Sequence, residues 1–500
     1  MTKAKSLLLG SAAALATVSG AQAADLGLPV AAVNYVQICS IGSFTGFLLP
    51  GSDVCLDIGG FARFEVNMTG EAGSLRDLPT NYDLPLAAAT ITAPDALGTL
   101  STDGAIGSSS TVISSAALAA ASASADDYDM GAEANITLDA RTMTEWGLLR
   151  GFLSLGSDNF QDDDETAEFE KAFLQIGGLT AGVTDSFFDP IYTDYAVAPF
   201  GDVSGAVDHA LIGYTMAFGN GFTFMLSLEN DEARQGEILS YHDVNFGQDG
   251  GQGILNTAVA DATSLTAGTV GQGGSVFMNF TGYDDSATMP DIVAALRVDQ
   301  AWGSAKLSAA LHEIDPAQAA VDSEIGYAVG ASAEFNLPVG TGSTFGIFGN
   351  YAVGAVQYVG FDTIVGGQLL PFADAVYNVD ENDLDLTTAY GLGAGVDIGL
   401  GSGFSWQFEG YYTVVDHEDV RMTILDEQNN NVNLAAAGEA STVNIDLDGS
   451  IFSVRSSVTY VPFAGLTMSA GVSYQQYDFD SVTGSDDDEF GARLRITLSF

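Results

Sequence analysis

Regular alternation of apolar and polar side chains is the feature that most constrains this chain. It recurs in segments of about ten residues, of which 221–229, 390–400, 404–414 and 466–474 are clear examples. In each segment one register is mainly apolar or aromatic, and the other is mainly small or polar. A period of two residues is that of a β-strand with one apolar and one polar face. The chain is therefore predicted to be all-β.

The predicted strands are longer than those of most soluble sheets. They run over about nine to fifteen residues, whereas soluble strands usually have about five or six and a tilted membrane strand about ten. Aromatic side chains stand near several strand ends, for example Trp302, Phe335 and Tyr460, as expected at a membrane interface. Alternation alone would also fit a soluble sandwich. Strand length and the aromatic positions favour a membrane barrel.

The spacing of the strands predicts how the barrel is built. Short connections alternate with long ones, and an even strand number with this alternation is typical of outer-membrane barrels. We therefore expect a 16-stranded antiparallel transmembrane β-barrel with short periplasmic turns and long extracellular loops. The predicted strands begin near residues 55, 129, 148, 168, 179, 208, 222, 291, 305, 325, 343, 384, 404, 446, 466 and 488.

The C-terminal segment predicts how the barrel closes. Residues 490–500 alternate between an apolar register that ends in Phe500 and a polar register that holds Arg493 and Arg495. An open sheet edge in lipid would leave backbone N–H and C=O groups without hydrogen bonds. We therefore expect the last strand to pair with the first one, 55–69.

The N-terminus has the pattern of a secretory signal. Residues 1–23 contain two lysines, a short apolar stretch and an Ala-Gln-Ala cleavage motif. The predicted division is thus a signal peptide at 1–23, a periplasmic segment at 24–54 and the barrel at 55–500. In an oxidising compartment a disulfide between Cys39 and Cys55 is plausible, and two free thiols are the alternative.

Composition narrows the range of functions. The chain has 65 acidic and 14 basic residues, a formal net charge of −51. Nucleic acid is excluded as a partner, because phosphate binding requires clustered Lys and Arg. The four histidines are scattered and no Gly-x-Ser-x-Gly motif occurs, so we do not expect an enzyme. Two cysteines cannot form a four-cysteine metal site, and neither a metal nor another cofactor is expected.

The few basic side chains share one register. All those within predicted strands, apart from the ambiguous Lys171, stand on the polar face. This placement predicts a pore-lining basic wall, although any charge in a membrane barrel must face inward. The predicted wall consists of Arg63, Arg141, Arg150, Arg297, Lys306, Arg455, Arg493 and Arg495.

The third long connection is the candidate constriction. Residues 187–207 hold Asp189, Asp194 and Asp202, with Asp185 just before them, and they are also rich in aromatic residues and proline. An acidic loop folded into the lumen opposite arginines would create a narrow and charged passage. A loop that stands in solvent is the alternative.

Four stretches of the sequence resemble one known family. They are Ser6–Asp25, the two-cysteine region Tyr35–Leu56, Asp139–Gly151 and Met289–Ser304. The chain resembles the trimeric porins of alphaproteobacteria. The resemblance implies a 16-stranded barrel, a homotrimer and passive diffusion of small hydrophilic solutes. The inserts at 86–125 and 247–274, and the larger acid excess, depart from that pattern.

The expected function is that of an outer-membrane porin. Sixteen strands leave a lumen too wide to be filled by side chains, so we expect a water-filled channel. The acid excess predicts a preference for cations, because a negative potential concentrates them. Outer-membrane lipid, including lipopolysaccharide, is an expected partner. The alternative function is that of a non-channel surface protein, such as an adhesin or a secreted acidic β protein.

Overall fold

The fold is taken from a computed structural model of the chain. The structure describes residues 37–70, 128–159, 167–192, 195–200, 205–242, 277–281, 283, 289–316, 322–360, 364–365, 368–369, 373–378, 383–417, 420–424, 441–445, 448–479 and 487–500. The predicted signal peptide and the inserts at 86–125 and 247–274 lie outside these residues, so the predictions for them stay predictions.

Sixteen long strands form the barrel, which confirms the predicted number, and two short N-terminal strands belong to the same sheet. We number the sixteen barrel strands in chain order. They are β1 Cys55–Gly70, β2 Tyr128–Thr144, β3 Gly147–Asn159, β4 Ala167–Ile176, β5 Leu179–Asp185, β6 Asp208–Gly219, β7 Phe222–Glu229, β8 Asp291–Gln300, β9 Gly303–Ile314, β10 Glu324–Asn336, β11 Thr344–Val353, β12 Thr388–Gly401, β13 Phe404–Asp416, β14 Gly449–Phe463, β15 Leu466–Phe479 and β16 Asp487–Ser499.

The sixteen strands form a closed ring. Each strand pairs antiparallel with its neighbour in the chain, and β16 returns to pair with β1 from Phe490 opposite Gly70 to Ser499 opposite Phe61. Closure gives the strand backbones partners on both sides, as a sheet surrounded by lipid requires. The predicted antiparallel barrel and the pairing of its last strand with its first are confirmed.

The two faces of the ring follow the alternation in the sequence. Outward-facing Phe64, Leu494 and Ile496 are exposed, as apolar side chains facing lipid would be. On the other face one row of paired residues crosses four neighbouring strands. Its members are Ser457 of β14, Gly471 of β15, Arg493 of β16 and Asn67 of β1. Polar side chains therefore stand on the inner face along adjoining strands.

The short turns depend on residues that accept a positive φ. At the β6–β7 turn Gly219, Asn220 and Gly221 have φ values of 86°, 52° and 78°. Glycine and asparagine adopt this left-handed region at little cost, which explains the Gly-Asn-Gly sequence. Tight turns of this kind fix the register of the strands that they join.

A second, smaller sheet lies in two of the long connections. We call residues 230–290 L4 and residues 354–387 L6. The sheet consists of Phe277–Thr281, Glu237–His242, Ala373–Asn378 and Asp383–Leu386, and its middle two strands are parallel. Asp383–Leu386 explains why β12 begins at Thr388 and not near 384 as predicted. Short strands paired across two loops leave no long alternating pattern in the sequence, so they were not predicted.

The N-terminal segment folds as a disulfide-linked hairpin. Strands Ile38–Ile41 and Phe44–Leu48 pair with each other, and the second also pairs with the start of β1. Cys39 and Cys55 form a disulfide with their Cα atoms 5.8 Å apart, as predicted. The two described helical turns, Glu232–Arg234 and Val356–Val359, are short, and no helix among the described residues could cross a membrane.

Candidate functional site

The third long loop runs inside the ring. It connects β5 to β6 as residues 186–207, and we call it L3. Its backbone contacts inward-facing side chains of distant strands: Ser308 of β9 donates to the carbonyl of Phe188 at 2.9 Å, and the amide of Val197 donates to Ser457 of β14 at 3.0 Å. L3 therefore crosses the lumen side of the wall from β9 to β14.

Glu409 of β13 is the central contact of L3 with the wall. Its carboxylate is fully buried and accepts hydrogen bonds from the Tyr192 hydroxyl at 2.8 Å and from the amides of Tyr195 and Ala196 at 2.8 and 3.1 Å. Arg455 of β14 forms an ion pair with the same carboxylate at 2.8 Å. A buried carboxylate needs this number of partners, because an unpaired one would be costly.

A second buried carboxylate fixes the start of L3. Glu229 at the end of β7 accepts hydrogen bonds from the Ser186 hydroxyl at 2.6 Å and the Phe187 amide at 2.9 Å. Its partner on β6, His209, lies 2.6 Å away through Nε2. Both the start and the middle of L3 are thus held by glutamates of the barrel wall.

The tyrosines of L3 act as hydrogen-bond donors. Tyr195 donates to Glu334 of β10 at 2.8 Å, and Tyr192 donates to Glu409. Burial raises the pKa of both phenols above the ordinary value, and the neighbouring carboxylates raise it further, whereas a hydrogen bond with Thr344 lowers that of Tyr195. Both hydroxyls therefore keep their protons at neutral pH, as donation to a carboxylate requires.

Asp189 is buried within the loop contacts. Its carboxylate pairs with Arg234 of L4 at 2.8 Å and accepts a hydrogen bond from the Val207 amide at 3.3 Å. Burial raises the pKa of Asp189 to about 6, although the charges of Arg234 and Lys306 act in the opposite direction. The carboxylate contributes to the attachment of L3 and does not face open water.

Five of the predicted basic side chains stand on four adjoining strands, β16, β1, β2 and β3. We call this group the arginine arc. Each of its side chains is about one quarter exposed, in contrast to Lys306 and Arg455, which are buried. The arc consists of Arg63, Arg141, Arg150, Arg493 and Arg495.

The arginines of the arc are held by acidic neighbours. Glu65 lies between Arg63, at 3.7 Å, and Arg493, at 3.4 Å, and it also binds Arg495. Arg63 makes a further ion pair with Glu133 at 2.7 Å. The arc is therefore a wall of fixed ion pairs rather than a row of free cations.

Near the N-terminal hairpin one aspartate pairs with two arginines of the arc. Asp139 accepts ion-pair contacts from Arg141 at 2.7 Å and Arg150 at 2.9 Å. The guanidinium of Arg141 also lies 4.1 Å from the centre of the Phe44 ring, and that of Arg150 lies 5.0 Å from the Phe152 ring. Contacts of this kind hold the planar groups in fixed orientations.

The other predicted bases have different surroundings. Lys306 is buried and donates to the backbone carbonyl of Asp189 at 2.6 Å, and the buried Arg455 donates to that of Phe200 at 3.2 Å. Arg297 is 40% exposed and pairs with Asp299 on its own strand. L3 therefore covers two members of the predicted basic wall.

The acidic residues predicted for the constriction are described only in part. Asp185 pairs with Lys171 at 2.6 Å, which places the ambiguous Lys171 beside the base of L3. Asp194 and Asp202 lie outside the described residues. Their predicted role at the constriction stays a prediction.

Three residues that attach L3, Glu409, Glu229 and Arg234, are absent from the predicted site. Glu409 could have been noticed as an isolated charge in a strand rich in aromatic residues, and Glu229 as the only charge of its strand. No pattern in the sequence marks Arg234. Among the described residues no group of three His, Cys, Asp or Glu side chains could hold a metal ion.

The chain matches a known protein family over most of its length. Residues 28–494 match the family model described as porin subfamily. Porin Omp2b of Brucella suis is 28% identical over 319 residues, which are 60% of this chain and 64% of that protein. The putative outer membrane protein y4fJ of Sinorhizobium fredii is 31% identical over 188 residues, 37% of this chain and 43% of that protein. Each match thus spans less than two thirds of the relative's length.

A solved structure has a similar fold. The outer membrane channel DcaP of Acinetobacter baumannii superposes with a TM-score of 0.54 and 14% sequence identity, covering 91% of this chain and 99% of that one. At this identity the likeness concerns the fold alone.

Proposed function

Because this chain belongs to the porin subfamily, we propose that it forms a water-filled channel for passive diffusion of small hydrophilic solutes and ions. The observation that supports this best is the position of L3, which runs inside a closed ring of sixteen strands. A loop inside a wide barrel narrows the passage and leaves it open to water.

The proposed passage runs between L3 and the arginine arc. L3 lies against the wall from β9 to β14, and the arc stands on β16 to β3. Solutes would therefore move along paired arginines and carboxylates, whose donors and acceptors can replace part of the solute's hydration.

Diffusion is tested by swelling of liposomes that contain the purified protein. We expect sugars of about disaccharide size and smaller to enter, with rates that fall as solute size increases. Swelling rates equal to those of protein-free liposomes would contradict the proposal.

We further propose that the channel prefers cations. The sixteen strands carry 23 acidic and nine basic side chains, and the acidic excess remains when the groups covered by L3 are left out on both sides, Lys306 and Arg455 among the bases and Glu229 and Glu409 among the acids. An excess of negative charge around a narrow passage raises the local concentration of cations. In a KCl gradient we expect a reversal potential of cation-selective sign. A potential of anion-selective sign would contradict this part of the proposal.

The family also suggests where and how the chain acts. The location is the outer membrane, where contact with lipopolysaccharide is proposed. Export by residues 1–23, followed by cleavage near Ala24, is proposed from the N-terminal pattern. Assembly as a homotrimer rests on the family resemblance. Chemical crosslinking should give a band of three subunits, and mass spectrometry of the mature N-terminus should give the cleavage position.

A further inference from the structure

Arg234 is an unusual residue for its position. It ends the short helical turn Glu232–Arg234 just after β7, and only 1% of its surface is exposed. Arginine is rarely buried so completely, because its charge loses hydration unless other groups pair with it. The contacts of its side chain show what compensates the burial.

The guanidinium of Arg234 contacts both ends of L3. One nitrogen pairs with Asp189, near the start of the loop, at 2.8 Å. Another donates to the carbonyl of Gly205, near its end. Because Asp189 also accepts a hydrogen bond from Val207, these contacts join the two stems of L3 to each other.

The same guanidinium also contacts L6. It donates to the carbonyl of Gln357 at 3.2 Å and lies 4.4 Å from the centre of the Tyr358 ring. There is little free space here, since a side chain at Gly205 would stand within 3.0 Å of the backbone around Gln357 and Gly360. One residue of L4 therefore joins L3 to L6.

Tyr358 is itself fixed by the barrel. Its hydroxyl donates to Asp291 of β8 at 2.5 Å, and His312 of β9 lies 2.8 Å from the other oxygen of that carboxylate. The neighbouring Val356 amide donates to Asp374 at 2.7 Å. Asp374 belongs to L6 itself, so the attachment to the wall is made by Tyr358, whose hydroxyl contacts Asp291 of β8 and whose carbonyl accepts a hydrogen bond from Asn350 of β11 at 3.0 Å.

We propose that Arg234 is a positioning residue. By holding the two stems of L3, it sets the largest solute that can pass and keeps the open-channel current noise low. This inference depends on the proposed channel function and extends it. Glu229 and Glu409 hold the start and middle of L3 against the wall, whereas Arg234 holds the start of L3 against its end. Without Arg234 the loop would keep its wall contacts and the hydrogen bonds of Val207 with Ser186 and Asp189, and it would lose the links of Asp189 and Gly205 to L4 and L6.

The test compares Arg234→Met with the native chain in planar bilayers. Methionine keeps much of the side-chain length and removes every hydrogen bond of the guanidinium. We expect polyethylene glycols larger than the native size limit to enter the channel, and open-channel current noise to rise at least twofold. Arg421→Met is the matched control, because Arg421 belongs to the short strand Val420–Ile424 between β13 and β14, outside the sixteen barrel strands, and its noise and size limit should equal the native values.

Two further variants keep the test decisive. Arg234→Lys preserves the charge but not the planar set of donors, so its noise should lie between the native and Met values. If Asp189 and Arg234 act together, Asp189→Asn combined with Arg234→Met should change noise no more than Arg234→Met alone. Heat-dependent gel mobility identifies the folded barrels, and only these are compared.

The outcomes separate this inference from the channel proposal. Folded Arg234→Met and Arg234→Lys channels with native noise and native size limit would overturn the role of Arg234 and leave the channel intact. A native chain that gives no current would overturn the channel proposal itself.

Discussion

Glu409 is a wall residue on which several contacts of L3 converge. It receives three hydrogen bonds from the loop and an ion pair from Arg455. Replacing Glu409 with Gln leaves the buried Arg455 without its charged partner, a loss that typically costs about 3–5 kcal/mol. We expect folded Glu409→Gln barrels to unfold at lower urea concentration, measured by gel mobility. Asp299→Asn, which removes an exposed pair, should change the midpoint little, and equal shifts in both would contradict the role of Glu409.

The buried carboxyl of Asp189 should give stability an unusual dependence on pH. Because burial raises its pKa from 3.8 to about 6, the folded chain binds a proton between these values that the unfolded chain does not. The contribution of this group to the free energy of unfolding therefore increases as the pH falls from about 6 to about 4. Relative to Asp189→Asn, the native protein should gain stability between pH 7 and pH 5 in urea unfolding. Identical pH profiles would disprove this assignment.

Sequence alternation was sufficient to place the basic side chains on one register but not to give their surroundings. Arg493 and Lys306 have the same periodicity, yet one stands on the arc and the other is covered by L3. The difference arises because L3 folds over some strands and not over others. That is a long-range contact, and no local pattern in the sequence encodes it.

Among the elements, the N-terminal hairpin is attached to the barrel by its disulfide and by a short pairing with β1. Cys39 and Cys55 are 16 residues apart. A disulfide that closes a loop of this length lowers the conformational entropy of the unfolded chain and thereby stabilises the folded state by about 3 kcal/mol. Replacing both cysteines with Ser should leave the barrel folded and make the hairpin sensitive to protease. N-terminal sequencing after limited digestion detects the cut. A hairpin as resistant as in the native chain would show that the disulfide is not needed to hold it.

The long barrel strands could be predicted from the sequence, whereas the short strands of L4 and L6 could not. Long strands such as β13 carry their own apolar face, so their positions followed from alternation. The strands Ala373–Asn378 and Glu237–His242 have six residues each and pair across more than one hundred residues of chain. Such pairing depends on where the barrel brings L4 and L6, and it could not be inferred from either loop alone.

At the scale of the whole molecule, a channel of this fold has lipid outside the ring and water inside it. Ile136 and Thr137 are neighbours on β2 that face opposite sides, and Ile136 is 51% exposed. Arginine at Ile136 would enter the lipid face, at a cost of up to about 2–4 kcal/mol, whereas arginine at Thr137 would face the lumen beside Asp139. We expect Ile136→Arg, but not Thr137→Arg, to reduce folding into lipid vesicles, as measured by gel mobility. The reverse order would mean that the two faces are assigned wrongly.

The most direct test of the central claim is the single-channel conductance of the purified mature chain in a planar lipid bilayer. A closed ring with L3 across part of its interior predicts discrete current steps that increase linearly with voltage at low potentials and with salt concentration. A folded, heat-modifiable barrel that leaves the bilayer electrically silent would contradict the account.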